Sequence, residues 1–420
     1  MFDLIYLILI PVLSVYAWSI YNLPILVAGV KHLRRNRKKL AKVPSEEKES
    51  SDLPSFSIIV PVKNEEKVIG RLLDALDKLD YPAEKKEIII VEDGSTDKSV
   101  DICEKHAEKC NLSLKVLHKP SSSGKPSALN YGIEHARGDI IGVFDADSLP
   151  VNDSLLNVCK YFEDGEVAAV QGRTLSINSE QNMLTKLISY EDAYDEVYLR
   201  GKDTLGLFVN LKGSCQFVRR NVLEKLKGFD EKTLCEDMEI SARLTERGYK
   251  IRFAPDVRSW QESPADLKHL FRQRTRWYRG TIEVALKYGR LMAKLTRKSF
   301  DAEATLFGPF VLIASILTYF AAFYAVFIPF SISLLLQVIM QSTTLIVTLT
   351  IFLLGMALIY SSKPRKASNL KWIPFIYFYW SAQVFIALYA LFLILLHKPR
   401  KWSKTEKTGA VNATFERTST

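Results

Sequence analysis

The chain has 420 residues and a formal net charge of +10 at pH 7, because 57 Lys and Arg outnumber 47 Asp and Glu. This length accommodates one large domain with additional elements, and the basic balance predicts an anionic partner, either nucleic acid or a membrane surface. The five cysteines include no Cys-x-x-Cys pair, which argues against a zinc site or disulfides and for free thiols.

Three long stretches of the chain, 4–30, 304–362 and 372–396, contain no Asp, Glu, Lys or Arg. Because a helix needs about 20 apolar residues to cross a bilayer, they predict one, two and one transmembrane helices. The basic segment 31–39 follows the first stretch directly, and by the positive-inside rule it faces the cytoplasm. We therefore assign the basic charge to a membrane surface, expect no nucleic-acid partner, and expect 31–303 to be cytoplasmic.

A regular alternation of strand-like and helix-like segments follows a polar linker that ends at residue 54. Strands are predicted at 57–61, 87–91, 112–117 and 140–144, and helices at 68–79, 96–109 and 127–136. This alternation indicates an α/β domain with a Rossmann-like, mostly parallel sheet that is covered on both faces. In such sheets the ligand lies at the carboxyl ends of the strands.

Polar residues gather at these strand ends. Asn64 and Glu65 follow the first strand, Asp93 follows the second, and Asp145 and Asp147 flank one alanine after the fourth. Paired carboxylates at the exit of a buried strand suit Mg²⁺ or Mn²⁺ carrying a diphosphate, since these ions take oxygen ligands from protein and substrate. Asp93 suits a hydrogen bond to a base or ribose, although Asp93 or Ser95 could instead cap the following helix.

Further along the chain, three features suggest roles in chemistry. Lys125 precedes a predicted helix and either meets substrate phosphates or remains solvated. Asp237, in the first turn of a predicted helix, either complements the helix dipole or acts as a general base. Gln273, Arg276 and Trp277 share one helix face, which suits a diphosphate and a sugar ring, or else an interfacial anchor.

The remaining segments complete the predicted organisation. A strand is predicted at 213–220, and a basic amphipathic helix over 281–303 suits the inner leaflet of a membrane. The last hydrophobic stretch lies between two basic segments, which leaves open a single span, a re-entrant segment or a broken hairpin. The predicted domains are a transmembrane helix (1–30), a basic linker (31–54), a catalytic domain (55–280), an interfacial helix (281–303), about three transmembrane helices (304–396) and a basic tail (397–420).

Taken in order, these motifs resemble the membrane-bound, processive members of glycosyltransferase family 2, which include cellulose, hyaluronan and poly-N-acetylglucosamine synthases. The segment 402–409 is also similar to the usual ending of this group. The resemblance implies a GT-A fold joined to transmembrane helices, and a nucleotide-diphosphate sugar as donor. Cys235 stands where the family's Thr-Glu-Asp triplet has threonine, a departure that leaves the expected base in place. The matching stretches are 57–65, 91–97, 124–130, 145–147, 235–237 and 273–277.

The resemblance also implies a role for each matching residue. Catalysis would fall to Asp237, with Glu236 beside it, and the metal ion, Mg²⁺ or Mn²⁺, would bind to Asp145 and Asp147. Acceptor binding would fall to Trp277, Gly213 and Ser214. Donor binding would fall to Pro61, Asn64, Glu65, Asp93, Lys125, Asp145, Gln273 and Arg276.

The expected function is transfer of a sugar, with inversion, from a nucleotide-diphosphate sugar (a UDP-sugar first) to a growing polysaccharide. The enzyme is expected to be a multi-pass protein of the plasma membrane. The expected acceptor is a carbohydrate or lipid-linked molecule, and transfer of one sugar to a lipid acceptor is the alternative function. Three hydrophobic segments are few for a private polymer channel, so an oligomer or partner protein is also considered. A transporter or receptor with a non-catalytic domain belongs to another class, and the lack of repeated transmembrane halves argues against a transporter.

Overall fold

A computed structural model describes residues 2–39, 53–109, 113–316, 334–361, 366–400 and 405–411. Contacts within the chain divide it into two compact units. The sheet unit comprises Pro44–Asp192, Phe208–Gln273 and Arg400–Thr420, and the helical unit comprises Met1–Val43, Ala193–Leu207 and Arg274–Pro399.

The sheet unit is built on one mixed sheet. Its strands are β1 (Phe56–Val62), β2 (Lys86–Glu92), β3 (Ser113–His118), β4 (Ile140–Val143), β5 (Leu149–Pro150), β6 (Val167–Ser176), β7 (Gln216–Arg219) and β8 (Lys250–Gln261). Their order across the sheet is β3-β2-β1-β4-β7-β6-β8-β5, so β3 and β5 form its edges. The pairs among β1, β2, β3 and β4 are parallel, whereas β7 runs antiparallel to both of its neighbours.

Helices cover the sheet and make up most of the helical unit. They are α1 (Phe2–Lys39), α2 (Ile69–Asp77), α3 (Ser99–Lys109), α4 (Lys125–Glu134), α5 (Ser154–Phe162), α6 (Met183–Thr204), α7 (Arg220–Leu226), α8 (Glu236–Glu246), α9 (Leu267–Tyr288), α10 (Arg297–Leu306), α11 (Gly308–Ile316), α12 (Leu334–Ser361) and α13 (Ile373–Leu395). Two of them, α6 and α9, contribute residues to both units.

The first half of the sheet unit follows the predicted alternation closely. The four predicted strands correspond to β1–β4, and the three predicted helices correspond to α2, α3 and α4. Every residue of β2 is buried, and α2 buries one apolar face against the core. Each large apolar side chain that is fully buried contributes about 1.5–3 kcal/mol, so these short runs are strongly specified. The prediction of an α/β domain is confirmed, although the sheet as a whole is mixed.

Two predicted elements differ from the structure. The strand predicted at 213–220 begins only at Gln216, because Gly213 (φ +78°) and Cys215 (φ +50°) adopt left-handed backbone conformations that a strand does not contain. The amphipathic helix predicted over 281–303 is interrupted. It ends with α9, and α10 begins after Thr296, whose side chain accepts a hydrogen bond from the backbone N–H of Ser299 and so caps a new helix.

The helical unit contains the predicted membrane segments. Within the described part of the chain, one helix, Ala367–Leu395, is long and apolar enough to cross a membrane, and α10 with α11, bent by 48°, would make a second if they form one span. Pro374 lies in the first turn of α13, where a missing N–H is harmless, so 373–395 forms one helix and no hairpin. α1 covers the predicted first span, whereas part of the predicted pair of helices, 317–333, lies outside the described residues. The multi-pass arrangement stays a prediction.

Candidate active site

Lys125 lies in a charged cluster formed by the end of β4, the loop before β7 and the start of α8. Its Nζ donates hydrogen bonds to Asp145 Oδ1 (2.7 Å) and to the carbonyl oxygen of Gly213 (2.9 Å), and it lies 3.2 Å from Glu236 Oε1. Burial alone would lower the pKa of Lys125, but the carboxylates of Asp145 and Glu236 raise that pKa above its ordinary value. The alternative of a solvated lysine is therefore wrong.

Gly213 allows both carboxylates of the first turn of α8 to approach this lysine. A Cβ atom at Gly213 would lie 3.1 Å from Lys125 Nζ, 3.3 Å from Asp237 Oδ2 and 3.6 Å from Glu236 Oε1. The other oxygen of Asp237, Oδ1, accepts a hydrogen bond from the backbone N–H of Met238 (2.8 Å). One ammonium group and two carboxylates thus surround a position at which any side chain would intrude.

A buried glutamine, which sequence reasoning did not single out, holds the loop that contains Gly213. Gln171 Nε2 donates to the carbonyl oxygens of Gly172 (2.8 Å) and Ser214 (3.0 Å), and Gln171 Oε1 accepts from the backbone N–H of Lys212 (2.8 Å). These hydrogen bonds hold the loop next to Cys215, whose left-handed backbone conformation costs about 1 kcal/mol or more. The sequence signal was a single polar residue inside the apolar run 167–172.

Ser214 contacts the loop that carries the paired aspartates. Its hydroxyl accepts a hydrogen bond from the backbone N–H of Asp145 (3.1 Å) and lies 2.8 Å from the hydroxyl of Ser148. Ser214 is only 1% exposed. These contacts make Ser214 a brace between the two loops, and its expected contact with an acceptor stays a prediction.

Asp93 is enclosed by the loop that leads into α4. Its carboxylate accepts hydrogen bonds from Ser122 Oγ (3.0 Å) and from the backbone N–H groups of Ser123 (3.1 Å) and Gly124 (3.0 Å). The helix that follows begins at Ser99, whose backbone N–H donates to Asp97 Oδ1 (2.9 Å), so Asp93 does not cap this helix. The carboxylate instead shapes the loop beside a candidate nucleotide position.

The other proposed donor residues lie at the end of β1. Pro61 belongs to β1 itself, and Asn64 adopts φ +55° just after the strand. The side chain of Asn64 accepts a hydrogen bond from the backbone N–H of Thr96 (2.7 Å), and the backbone N–H of Glu65 donates to Ser99 Oγ (2.7 Å). The loops after β1 and β2 are thereby tied together at the carboxyl edge of the sheet.

Asp147 is buried and contacts the C-terminal segment. Its Oδ2 accepts hydrogen bonds from the backbone N–H of Glu262 (2.9 Å) and from Lys407 Nζ (2.7 Å). Burial would lower the pKa of Lys407, but the charge of Asp147 raises it. Neither Glu262 nor Lys407 was among the predicted site residues, and the one sequence signal for Lys407 was the family-like ending at 402–409.

The paired aspartates fit a divalent metal ion through their chemistry. Asp145 and Asp147 offer oxygen ligands, and each already contacts a cation, the ammonium of Lys125 or of Lys407. No cluster of three His, Cys, Asp or Glu side chains that could hold a metal occurs among the residues with described positions. Two carboxylates suit a Mg²⁺ or Mn²⁺ ion that takes its remaining ligands from substrate phosphates and water.

The third predicted motif lies on α9. Gln273 is the last residue of its segment of the sheet unit, and Arg276 and Trp277 belong to the helical unit. Within the helical unit, the guanidinium of Arg274 stacks 4.3 Å from the centre of the Trp277 ring and donates to the hydroxyl of Tyr379 (3.3 Å). Arg274 was not predicted to take part, although it stands inside the motif.

A cavity of about 350 Å³ opens beside Trp277 in the helical unit. Indole rings and other apolar groups form most of its walls, and Arg274 adds a cation. Trp277 is 37% exposed, so its ring is accessible. The lining residues are Trp18, Arg274, Trp277, Tyr278, Thr281, Gly308, Pro309 and Leu312.

The mixed sheet, with its acidic strand ends, matches the GT-A glycosyltransferase fold. A solved mannosyltransferase from Pyrobaculum calidifontis, PcManGT, in complex with GDP-Man and Mn²⁺, aligns with a TM-score of 0.59 at 23% identity. The alignment covers 92% of this chain and 100% of that one. This likeness establishes the fold.

Sequence relatives then identify the family. Residues 54–280 match the family described as Glycosyltransferase like family 2. The probable glycosyltransferase YdaM of Bacillus subtilis (strain 168) is 31% identical over 412 residues, which cover 94% of this chain and 96% of YdaM. The chain belongs to glycosyltransferase family 2, and it is an enzyme that transfers sugar from a nucleotide sugar.

Two relatives named for different products each match between half and two thirds of this chain. The beta-monoglucosyldiacylglycerol synthase of Nostoc sp. is 36% identical over 256 residues, which are 59% of this chain and 54% of that protein. The poly-beta-1,6-N-acetyl-D-glucosamine synthase of Staphylococcus aureus is 30% identical over 238 residues, 56% of this chain and 57% of that protein. The chain thus spans little more than half the length of either relative.

Proposed function

We propose that the enzyme transfers one sugar, with inversion, from a UDP-sugar to a hydroxyl group of a membrane lipid. The observation that carries the chemical part is the convergence of Asp237, Glu236, Asp145 and Lys125 around Gly213. Three carboxylates beside one lysine offer a proton acceptor, ligands for a metal ion and a cation for a diphosphate within a few ångströms of one another. An inverting transfer needs both, and it needs no covalent intermediate on the enzyme.

In this mechanism Asp237 Oδ2 accepts the proton of the acceptor hydroxyl as that oxygen attacks the anomeric carbon. Glu236 fixes Lys125 by their ion pair, so the ammonium is held where negative charge develops on the departing diphosphate. A Mg²⁺ or Mn²⁺ ion held by Asp145 and Asp147 would supply further positive charge to that leaving group. Asp93 and the loop after β1 would orient the nucleotide.

The motif on α9 is proposed to complete substrate recognition. Gln273 and Arg276 are assigned to the donor, and Trp277 is assigned to the acceptor, because an indole face packs well against a sugar ring or an acyl-glycerol group. The guanidinium of Arg274 stacks on the Trp277 ring and so holds the orientation of that ring. These roles rest on the motif.

Two observations support a lipid acceptor. The relative named for diacylglycerol glucosylation has higher identity to this chain than the polysaccharide synthase, 36% against 30%. The cavity beside Trp277 has mainly apolar walls and a few polar groups, which suit an amphiphile better than a chain with hydroxyl groups on every face. Integration in the plasma membrane by several spans, with the sheet unit in the cytoplasm, belongs to the same proposal.

Growth of a polysaccharide, the function first expected from the sequence, is the second candidate. The observation that favours it is the match to a poly-beta-1,6-N-acetyl-D-glucosamine synthase. A second copy of the chain or a partner protein would then supply the rest of a polymer channel.

The test combines a donor panel with product analysis on the purified protein. UDP-glucose, UDP-N-acetylglucosamine and GDP-mannose are supplied in turn with a membrane lipid extract, and release of the nucleoside diphosphate is measured. We expect turnover of a UDP-sugar, loss of turnover in EDTA and recovery with Mn²⁺ or Mg²⁺. Radiolabelled donor should give a single lipid-soluble product. A ladder of products would favour the polysaccharide instead, and full activity without metal would contradict the role of Asp145 and Asp147.

A further inference from the structure

The contact between Lys407 and Asp147 differs from an ordinary surface ion pair. Lys407 Nζ lies 2.7 Å from Asp147 Oδ2, and the side chains of Lys407 and Asp147 are only 16% and 5% exposed. Lys407 Nζ also donates to the carbonyl oxygen of Glu262 (2.9 Å). A lysine held by two acceptors in a buried position is part of a formed site, because a solvated side chain would keep its rotamer freedom.

Glu262 fixes the segment that carries this lysine. Its Oε1 accepts hydrogen bonds from Thr408 N (2.7 Å) and Thr408 Oγ1 (2.6 Å), and its Oε2 accepts from Gly409 N (3.0 Å). Arg71 donates to the carbonyl oxygen of Gly409 (3.2 Å), and Gly409 adopts φ +81°. The Glu262 carboxylate thus accepts three hydrogen bonds from two successive residues and holds the segment 405–411 against the sheet.

The ammonium group and a metal ion need the same carboxylate. Asp147 is 5% exposed, and Lys407 lies on its Oδ2. A divalent ion would bind to this carboxylate at about 2.0–2.2 Å and would bring further ligands with it. Since two cations on one buried carboxylate repel each other strongly, the site holds one of them at a time.

We propose that the C-terminal segment 405–411 is a latch, in which Lys407 occupies the metal position on Asp147 until metal and nucleotide displace it. Glu262 is the positioning residue of this latch, because it docks the backbone that carries Lys407 and also donates its own N–H to Asp147. The donor-free enzyme thereby keeps Asp147 neutralised, and the segment moves when the donor complex forms. This inference rests on the proposed metal role of Asp147.

The first test measures Mn²⁺ binding to the full-length protein in detergent, without nucleotide, from the electron paramagnetic resonance signal of free Mn²⁺. Lys407→Met removes the competing cation, and we expect Mn²⁺ to bind about tenfold more tightly. Lys398→Met is the matched control, since Lys398 is exposed, and it should leave the affinity unchanged. Unchanged or weaker binding in Lys407→Met would overturn the latch, whereas no Mn²⁺ binding to any form would instead overturn the metal role itself.

A second variant separates the latch from a simple change of charge. Glu262→Gln removes a negative charge near the site, so electrostatics alone predicts weaker Mn²⁺ binding. Release of the tail predicts the reverse, because a neutral amide holds Thr408 and Gly409 less strongly, and we expect about threefold tighter binding. Weaker binding would refute the positioning role of Glu262.

The third measurement follows the lysine directly. Acetylation of Lys407 by acetic anhydride, read by mass spectrometry, should be slow in the free enzyme and several times faster after Mn²⁺ and UDP are added. A rate that falls or stays constant would show that Lys407 remains in place when the donor product binds, which the latch does not allow.

Discussion

The two halves of the sheet hold their charged side chains by different means. In the half formed by β1–β4, loops enclose a carboxylate with hydrogen bonds, as Ser122, Ser123 and Gly124 do around Asp93. Where the half formed by β5–β8 meets β4, the missing side chain of Gly213 leaves room for Glu236 and Asp237 to approach Lys125. We infer that substitutions in the first half change donor affinity moderately. Substitutions that add an atom beside Gly213 should instead reduce the rate of transfer strongly.

The strongest expected effect lies in the second half. Asp237→Asn removes the proposed base, so kcat should fall about 10³-fold while donor binding survives. Initial rates of transfer and the dissociation constant of the donor, measured on the same preparation, check this. Glu246→Gln, at the exposed end of the same helix, should behave as the parent enzyme. Substantial transfer by Asp237→Asn would exclude Asp237 as the base.

The next effect tests whether space at Gly213 matters beyond its backbone conformation. Gly213→Ala would place a methyl group 3.1 Å from Lys125 Nζ and 3.3 Å from Asp237 Oδ2, and kcat should fall about 10²-fold. Gly248→Ala has the same kind of left-handed backbone (φ +82°) with no atom within 4 Å of the added carbon. Equal loss of activity in both variants would show that backbone strain alone is responsible.

A smaller effect is expected in the first half. Asp93→Asn replaces one acceptor oxygen by a donor, so the loop at 122–124 loosens and the KM for the donor should rise about tenfold with little change in kcat. Steady-state kinetics with varied donor concentration measure both constants. Asp101→Asn, at an exposed position on α3, serves as the control. If kcat fell and KM stayed constant, Asp93 would act in the chemical step, and the proposed difference between the two halves would be wrong.

The smallest effect concerns stability and pH. Burial would raise the pKa of Glu87, but hydrogen bonds from Ser57 and Arg137 and the nearby charge of Lys115 hold that pKa below its ordinary value. Because the pKa of Glu87 is lower in the folded chain, its carboxylate stabilises the fold at pH values above the unfolded-state pKa of about 4.3. This contribution disappears as the pH falls through the folded-state pKa.

Glu87→Gln should therefore show a smaller fall in melting temperature between neutral and acidic pH than the parent protein. Glu134→Gln, at an exposed position of α4, should follow the parent curve. Thermal unfolding at a series of pH values gives both curves. A pH dependence unaltered by Glu87→Gln would mean that Glu87 titrates alike in the folded and unfolded chain.

The same contrast explains how much could be predicted from the sequence. The strands β1–β4 are short apolar runs bounded by turn residues, and their parallel pairing follows from the helices between them, so their polar ends could be located. The strands β6 and β8 pair across a long sequence separation, with one register shift between Val167 and Ala169 and another between Gly172 and Arg173, which local patterns do not encode. The proposal that Asp237 is the base came from the resemblance to a family, because composition alone does not distinguish this carboxylate from others. The contact between Lys407 and Asp147 joins residues far apart in the sequence, so no local pattern predicts it.

The edges of the sheet carry a further consequence. β5 has two residues and ends in Pro150, which has no N–H to offer, and β3 carries Lys115, whose charge is paired with Glu87. Short strands, proline and lysine are features that prevent an edge from adding a strand of another molecule. Crowding of many copies should therefore not lead to fibre-like aggregation through the edges of this sheet.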